Sequence, residues 1–500
     1  MTVLLVKKIE KYSVALAIVG MFSGVLEAQV KTDPRSVSMG GATTTVADGI
    51  YAVGINPANL SMQIGKPFMW QLSTLNIGFV NNWLSLENFM ALSGVNMEAQ
   101  NQRAKKVIYD EIGDGLRLFR DLHLGIPLVN YASGNMAITN DIVYVSDFTF
   151  PKDMFRLFLD GNPPYEALDM SMKYETLALL ESAFSFAVPF DKFSLGFTAK
   201  YLSGLIYLGL VSDSTYYNVT TEPSGFIFDG QFYLRQGRDG SGIGADIGFL
   251  TNDVNGWRFG MSIINLLGKI KWTSSGSVDE ESWSVAPWNE IKPGTAKIWT
   301  FSDTVSANTI QDSLFPSPGT ESSGIAGVMG RLLEGKVSYV PDTTVFTLRY
   351  PAMFRLGFSK KFDEDLLIAS DLVAGFDDRL NIRNQWIWSI GLQFSRFKSI
   401  PLRVGYTWGG RSFNQTGFGI GLEKGPIMMD FAFAFRNGLW VNSMKGLTFS
   451  MAFAMTSFKG RKEKTEPKAE EGPLPEPEGE PETGVNKVQF RSYAKTSGPS

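Results

Sequence analysis

Cysteine is absent from this sequence and histidine occurs once, as His123. The first absence excludes a disulfide framework and thiolate metal sites. The second leaves no His-rich metal spacing. There is no G-x-S-x-G elbow and no P-loop, so the sequence points to no enzyme, no catalytic residue, no metal and no cofactor. Gly242 to Gly248, GIGADIG, has a nucleotide-like look but lacks the spacing and the following helix; glycines in a strand beside a crowded interior are the alternative. Nor is there an apolar run of the roughly 18 to 20 residues that a spanning helix needs. A net charge of -4 gives no general attraction for nucleic acid.

What is present begins with an export pattern. Lys7, Lys8 and Lys11 precede an apolar run from Val14 to Leu26 and then Ala28, the three-part form of a secretory signal peptide over residues 1–28. Leu26 is larger than a cleavage site prefers, so the cut is expected near Ala28 without being fixed there.

From residue 66 onward the dominant signal is period-two alternation, which on a strand sends neighbouring side chains to opposite faces. Phe193, Leu195, Phe197, Ala199 and Tyr201 alternate with Ser194, Gly196, Thr198 and Lys200; Met429, Phe431, Phe433 and Phe435 enclose Asp430, Ala432 and Ala434. One face is large and aromatic, the other is Gly, Ala, Ser and Thr with scattered charges. A soluble sandwich alternates too, but that contrast and the export signal favour lipid outside and a crowded or wet lumen inside. Trp257, Trp386, Tyr406 and Trp408 lie near strand ends, where interfacial girdles form. The expected fold is all-β, a transmembrane antiparallel barrel of about 14 strands over residues 66–458. Its short connections alternate with long ones, placing both chain ends on the periplasmic side and the long loops outside.

Two of the long loops have helical character, at 88–112 and 151–159. They would either form an apolar outer vestibule or cap the barrel by packing on each other. The loop at 273–342 reads as a lid, a binding loop or a partly disordered segment. Residues 459–500, dense in Lys, Glu, Pro and Gly, read as an extended disordered periplasmic tail, either a tether for a periplasmic partner or simply solvated.

Between signal and strands, residues 29–65 contain SMGGATTTVADGIYAVGINPANL, Ser38 to Leu60. Gly40 and Gly41 sit among small residues, and Pro57 biases Asn56 away from helix. This stretch is too short and too poor in large apolar residues to build a core, so it needs an enclosure. Gly40, Gly41, Asn56, Pro57 and Ala58 together resemble the N-terminal hatch of the outer-membrane long-chain fatty-acid transporters (FadL-like). The PorV-like barrels of type IX secretion share a similar pattern. The resemblance implies an N-terminal plug in the barrel and passive uptake of a hydrophobic ligand, or else a structural or adaptor barrel that binds secreted proteins. Phe458 resembles the terminal aromatic by which barrels are recognised by the assembly machinery, although here the chain continues past it.

By strand phase, Glu181, Lys200, Asp246, Arg258, Asp371, Arg403 and Asp430 face inward, as does His123. A lumenal His123 argues against the lipid-facing Ser-His pair that outer-membrane phospholipases require. Lys200, Arg258 and Arg403 are candidate ligand contacts, since a guanidinium can hold a carboxylate with two parallel hydrogen bonds; the alternative is a charge network that braces the plug. The expected partners are therefore outer-membrane lipids and a hydrophobic small molecule, in the outer membrane of a Gram-negative bacterium.

Overall fold

The computed structural model describes residues 31–65, 68–95, 102–223, 225–272, 296–305, 338–342, 346–363, 365–376, 386–397, 399–409 and 414–457. The expected signal peptide, the tail beyond 458 and most of the 273–342 loop lie outside them.

Alternation is realised as a closed antiparallel barrel of 14 spanning strands. They are β1 Phe68–Asn81, β2 Gly115–Gly125, β3 Met136–Pro151, β4 Lys173–Pro189, β5 Phe193–Leu210, β6 Gly225–Thr251 and β7 Trp257–Trp272. There follow β8, in two pieces, Phe346–Arg349 and Met353–Phe362, then β9 Leu366–Gly375 and β10 Trp386–Phe394. β11 Leu402–Gly409, β12 Asn414–Lys424, β13 Ile427–Arg436 and β14 Gly446–Thr456 complete the set. Each strand pairs with the next, and β1 closes on β14 from Met69↔Thr456 to Val80↔Gly446. Closure leaves no unpaired edge in the membrane, where every backbone donor and acceptor must find a protein partner.

The outward rows are apolar and exposed: Phe197 and Tyr201 on β5, Phe259 and Met261 on β7, Trp386 and Trp388 on β10, Phe433 on β13, Phe449 on β14. Their inward neighbours Thr198, Lys200, Ser262, Ser389, Ala432, Ala434 and Ser450 are buried. An apolar outside around a filled inside is the arrangement of a barrel in lipid, and 14 even-numbered antiparallel strands are the outer-membrane form. No helix among the described residues is long and apolar enough to cross a membrane; crossing is by strands.

Several boundaries differ from the sequence reading. β2 ends at Gly125, and Tyr131–Ser133 resumes its pairing with β1 and β3. β6, at 27 residues, extends far beyond the Gly242 to Gly248 run. Its outer part pairs with Tyr216–Glu222 and Ala296–Val305 above the barrel, an extension that turn and glycine signals around 225–241 concealed. β7 and β8 are interrupted together. The β6–β7 register shifts between Ile263 and Lys269, Asn265 and Leu267 take φ of 58° and 63°, and Tyr350 to Ala352 separate the two pieces of β8. Asparagine tolerates that left-handed backbone and leucine does not, so the wall is strained here.

The outer loops hold α2 Leu86–Leu92, α3 Gln102–Ile112 and α4 Lys152–Leu159. Ile108, Ile112 and Leu116 form their own cluster with Trp83, Leu92, Phe150, Phe155 and Leu159. Among the described residues, these side chains of the helices pack on each other, the second of the two readings left open for these loops.

Candidate functional site: the barrel lumen

The N-terminal segment lies inside the barrel, and its order of contacts defines its path. α1, Pro34–Ser38, starts at Asp33, whose carboxylate accepts from the backbone N–H of Arg35 at 2.8 Å and Ser36 at 3.1 Å, the usual N-cap arrangement. Beyond it the backbone steps round the wall in strand order. A β-carbon at Gly417 of β12 would overlap Val37, and one at Gly405 of β11 or Gly391 of β10 would meet Met39. Gly357 of β8 faces Thr44, Gly260 of β7 faces Thr45, Gly248 of β6 faces Asn56, and Gly196 of β5 faces Ala58. The segment is thus a ring laid flat against the inner wall. Inward glycines on seven strands clear its path.

Asn56 is the fastening at one end of that ring. Its Nδ2 donates to Thr44 O at 3.1 Å and to Phe249 O of β6 at 3.0 Å, and its Oδ1 accepts from Ala58 N at 3.1 Å. Pro57 has no N–H to satisfy, which leaves that Oδ1 for Ala58. Gly40 and Gly41 have φ of 61° and 85°, and Gly41 O accepts from Arg355 Nη2 at 2.8 Å. Asp371 of β9 receives Thr43 N, Thr44 N and Thr44 Oγ1 at 2.9, 2.8 and 2.6 Å.

Two further ionic anchors were not foreseen. Lys31 Nζ lies 2.5 Å from Asp141 and 3.3 Å from Glu181. Arg35 reaches Asp48 at 2.7 Å, Asp430 at 3.3 Å and Glu423 at 3.6 Å. His123 Nδ1 is 2.7 Å from Thr32 O and its Nε2 is 3.3 Å from Asp141, so His123 supports the same anchor.

The three candidate ligand contacts are placed as follows. Lys200 is buried between Asp246 at 2.9 Å, Glu181 at 3.3 Å and Asn265 Oδ1 at 2.8 Å. Arg403 is buried against Asp430 at 2.6 Å and Gln393 at 2.8 Å. Arg258 is 34% exposed at the basal end, with Nη1 2.9 Å from Met62 Sδ and Nε 3.7 Å from Asp253. Arg403 and Arg258 border separate basal cavities of about 180 and 200 Å³, too small for a long acyl chain. Among the described residues no group of His, Asp and Glu could hold a metal.

β4 alone reads out the layering of the lumen. From the short-turn end its inward residues are Ala187, Ser185 and Ala183, the alanines in one cluster with Ile50, Tyr51 and Leu60 of the segment; then Glu181 of the charged layer; then Leu179 and Leu177; then Glu175 at the mouth. β3 repeats the pattern with Ala137, Asp141, Val143, Val145 and Asp147. The inner face is therefore not small and polar throughout, as its lower half implied. Above the charges lies an apolar layer, in which Trp272 stacks on Phe346 at 6.1 Å and Tyr207 lies tilted against both at 6.1 and 5.5 Å between ring centroids. Trp272 is fully buried, over Gly204, Gly237 and Gly240. Over this layer opens a polar mouth of about 830 Å³, bordered by Arg117, Asp147, Lys173, Glu175 and Arg235.

Residues 57–432, well over half of the chain, match a family described as a family of unknown function, DUF5723. The chain belongs to DUF5723. A comparison of this DUF5723 member with curated proteins found no match. Among solved structures it is similar to the toluene transporter TbuX of Ralstonia pickettii, with 14% identity, 85% of this chain and 98% of that one covered, and a TM-score of 0.45. The Pseudomonas putida toluene transporter TodX gives 12%, 87%, 100% and 0.44. A Pseudomonas aeruginosa FadL homologue gives 12%, 87%, 100% and 0.46.

Proposed function

We propose that this DUF5723 barrel takes up hydrophobic molecules passively across the outer membrane, with residues 29–65 acting as a plug and Gly40, Gly41, Asn56, Pro57 and Ala58 as its seat. The observation that carries this reading is the apolar lumenal layer around Trp272. A water-filled pore has a polar interior; a layer of Leu, Val and aromatic side chains repels ions and polar solutes, which cannot recover their lost hydration there. An apolar solute forfeits no hydration there, and its passage asks only that the packed side chains part. In this scheme Lys200 and Arg403 brace the plug through their acid partners, and Arg258, which keeps donor capacity at the base, is the remaining candidate for an anionic head group. The strained β7–β8 interruption is the candidate place for a solute to leave through the wall.

The competing reading is an adaptor barrel of the PorV-like kind. It draws on the outer helices, which pack on each other and leave Phe158 of α4 77% exposed. Gentle detergent purification followed by native mass spectrometry and lipid extraction separates the two. The wild type is set beside an Asn56→Ala, Pro57→Gly variant. Co-purified fatty acids or other apolar molecules, with occupancy changed in the variant, are expected. A ligand-free barrel carrying a stoichiometric protein would establish the adaptor instead.

A further inference from the structure

On the side formed by β13, β14 and β1 the lipid-facing surface does not stop where the strands stop. Phe435 points outward in the row of Phe431 and Phe433, yet it is 9% exposed where they are 37% and 44%. Its cover is Trp440, with ring centroids 6.1 Å apart, and it also meets outward Phe418 of β12 at 6.1 Å. The loop at 437–445 therefore turns out over the barrel's outer surface instead of in over the mouth. Its tip, Leu439, Trp440 and Val441, is exposed.

α2 lies alongside. Glu87 N donates to Asn442 O at 2.9 Å, which ties the helix to the loop, and Asn437 Nδ2 donates to Asn81 O at the end of β1 at 2.9 Å, which ties the loop to the strand that leads into the helix. Leu86, Phe89 and Met90 are exposed at the i, i+3, i+4 spacing of one helical stripe, while Leu92 on another face packs into the loop cluster. A stripe and a tip of this composition in water would forgo roughly 25 cal/mol for each Å² left unburied.

We propose that α2 and the 439–441 tip form an apolar ledge immersed in outer-leaflet lipid, at the boundary between head groups and acyl chains. Continuity decides the occupant. The ledge begins on Phe435 and runs on from Phe433 and Phe449, which already face lipid, so a water-borne partner would first have to displace lipid from one contiguous surface. Tryptophan at that depth and an apolar helical stripe lying in the plane of the interface are what such a boundary favours.

The absence of cysteine makes the test direct. Phe89→Cys and Val441→Cys carry a nitroxide label in the full chain, folded in phospholipid nanodiscs, with folding checked by heat-modified gel mobility. Strand residue Phe433→Cys supplies the lipid reference and Ser214→Cys, beside the polar mouth, the water reference. Collision with oxygen relative to a water-soluble nickel chelate is expected to be several-fold higher at 89 and 441 than at 214, and close to that at 433. A ratio equal to that at 214 overturns the ledge. Protection from both reagents overturns it too, because a second copy or a bound protein would then cover the patch. Should one variant fail to fold, the other carries the same readout. The outcome does not depend on whether the lumen transports anything.

Discussion

At the scale of single residues, the lumen is organised by what has no side chain. Gly405 leaves no room for a β-carbon beside Met39 and Gly40, so Gly405→Val must push the segment off the wall or distort β11. The segment is the softer of the two, since the strand is held by ladders on both sides. In an otherwise cysteine-free chain, Ala47→Cys, buried in the parent, is expected to resist a water-soluble maleimide. Adding Gly405→Val should raise its labelling several-fold, whereas Val404→Leu, one residue away on the lipid face, should leave it unchanged. Equal labelling in all three would show that the segment is not seated on the glycine ring. The inward phase of Asp371, Asp430, Lys200 and Arg403 was legible because alternation fixes faces without tertiary knowledge. Arg355, between Phe354 and Leu356, carries the same signal. Lys31 and Arg35 had no such signal: lone charges in a segment without periodicity point nowhere until the fold supplies Asp141, Glu181 and Asp430.

At the scale of elements, the outer helices make a cap with its own ionic lock. Lys105 is fully buried, its Nζ 2.7 Å from Asp160 Oδ1, and Tyr109 donates to Asp160 Oδ2 at 2.6 Å. Burial alone would raise the Asp160 carboxyl, but the hydrogen bonds from Lys105 and Tyr109 and the charges of Lys105 and Arg156 outweigh it and hold it below the ordinary carboxylate range. A carboxyl lowered on folding stabilises above its unfolded value and loses that contribution as pH falls through its folded value. Hydrogen exchange over α3 and α4, corrected for intrinsic rates, is therefore expected to quicken on acidification below the usual carboxylate range. Asp160→Asn should quicken it already at neutral pH, by about 1 to 3 kcal/mol of local stability, and remove the pH step. An unchanged pH profile in that variant would mean another group controls the cap. That helices exist here was readable from apolar spacing; that they bury against one another depends on loops far apart in sequence being anchored to neighbouring strand tops.

At the scale of the whole molecule, the proposed uptake route would cross two barriers in series, the ring of residues 31–65 and the apolar layer above it. Deleting residues 31–65 removes the first and leaves buried Asp371 and Asp430 to water, which a polar lower lumen tolerates. The second barrier remains. In planar bilayers the deletion is expected to conduct ions little above background, and the deletion combined with Trp272→Ala to conduct several-fold more, because a wetted gap replaces the packed aromatic layer. Full conductance in the deletion alone would show that the ring is the sole seal.

The sequence by itself determined the strand count, the alternation of short and long connections, the outward aromatic rows and the need of a small, glycine-rich segment for an enclosure, because each of these is local in periodicity or composition. It could not divide the lumen into layers. Leu177, Ala178, Leu179 and Leu180 are apolar on both faces of β4, so alternation loses its contrast just where the dry layer lies. Only the closed barrel decided that Leu177 and Leu179 join Trp272 and Phe346 in one apolar cluster, and that Lys31 and Arg35 find acids on strands more than a hundred residues away. Those contacts are made by curvature and closure, which no stretch of chain encodes alone.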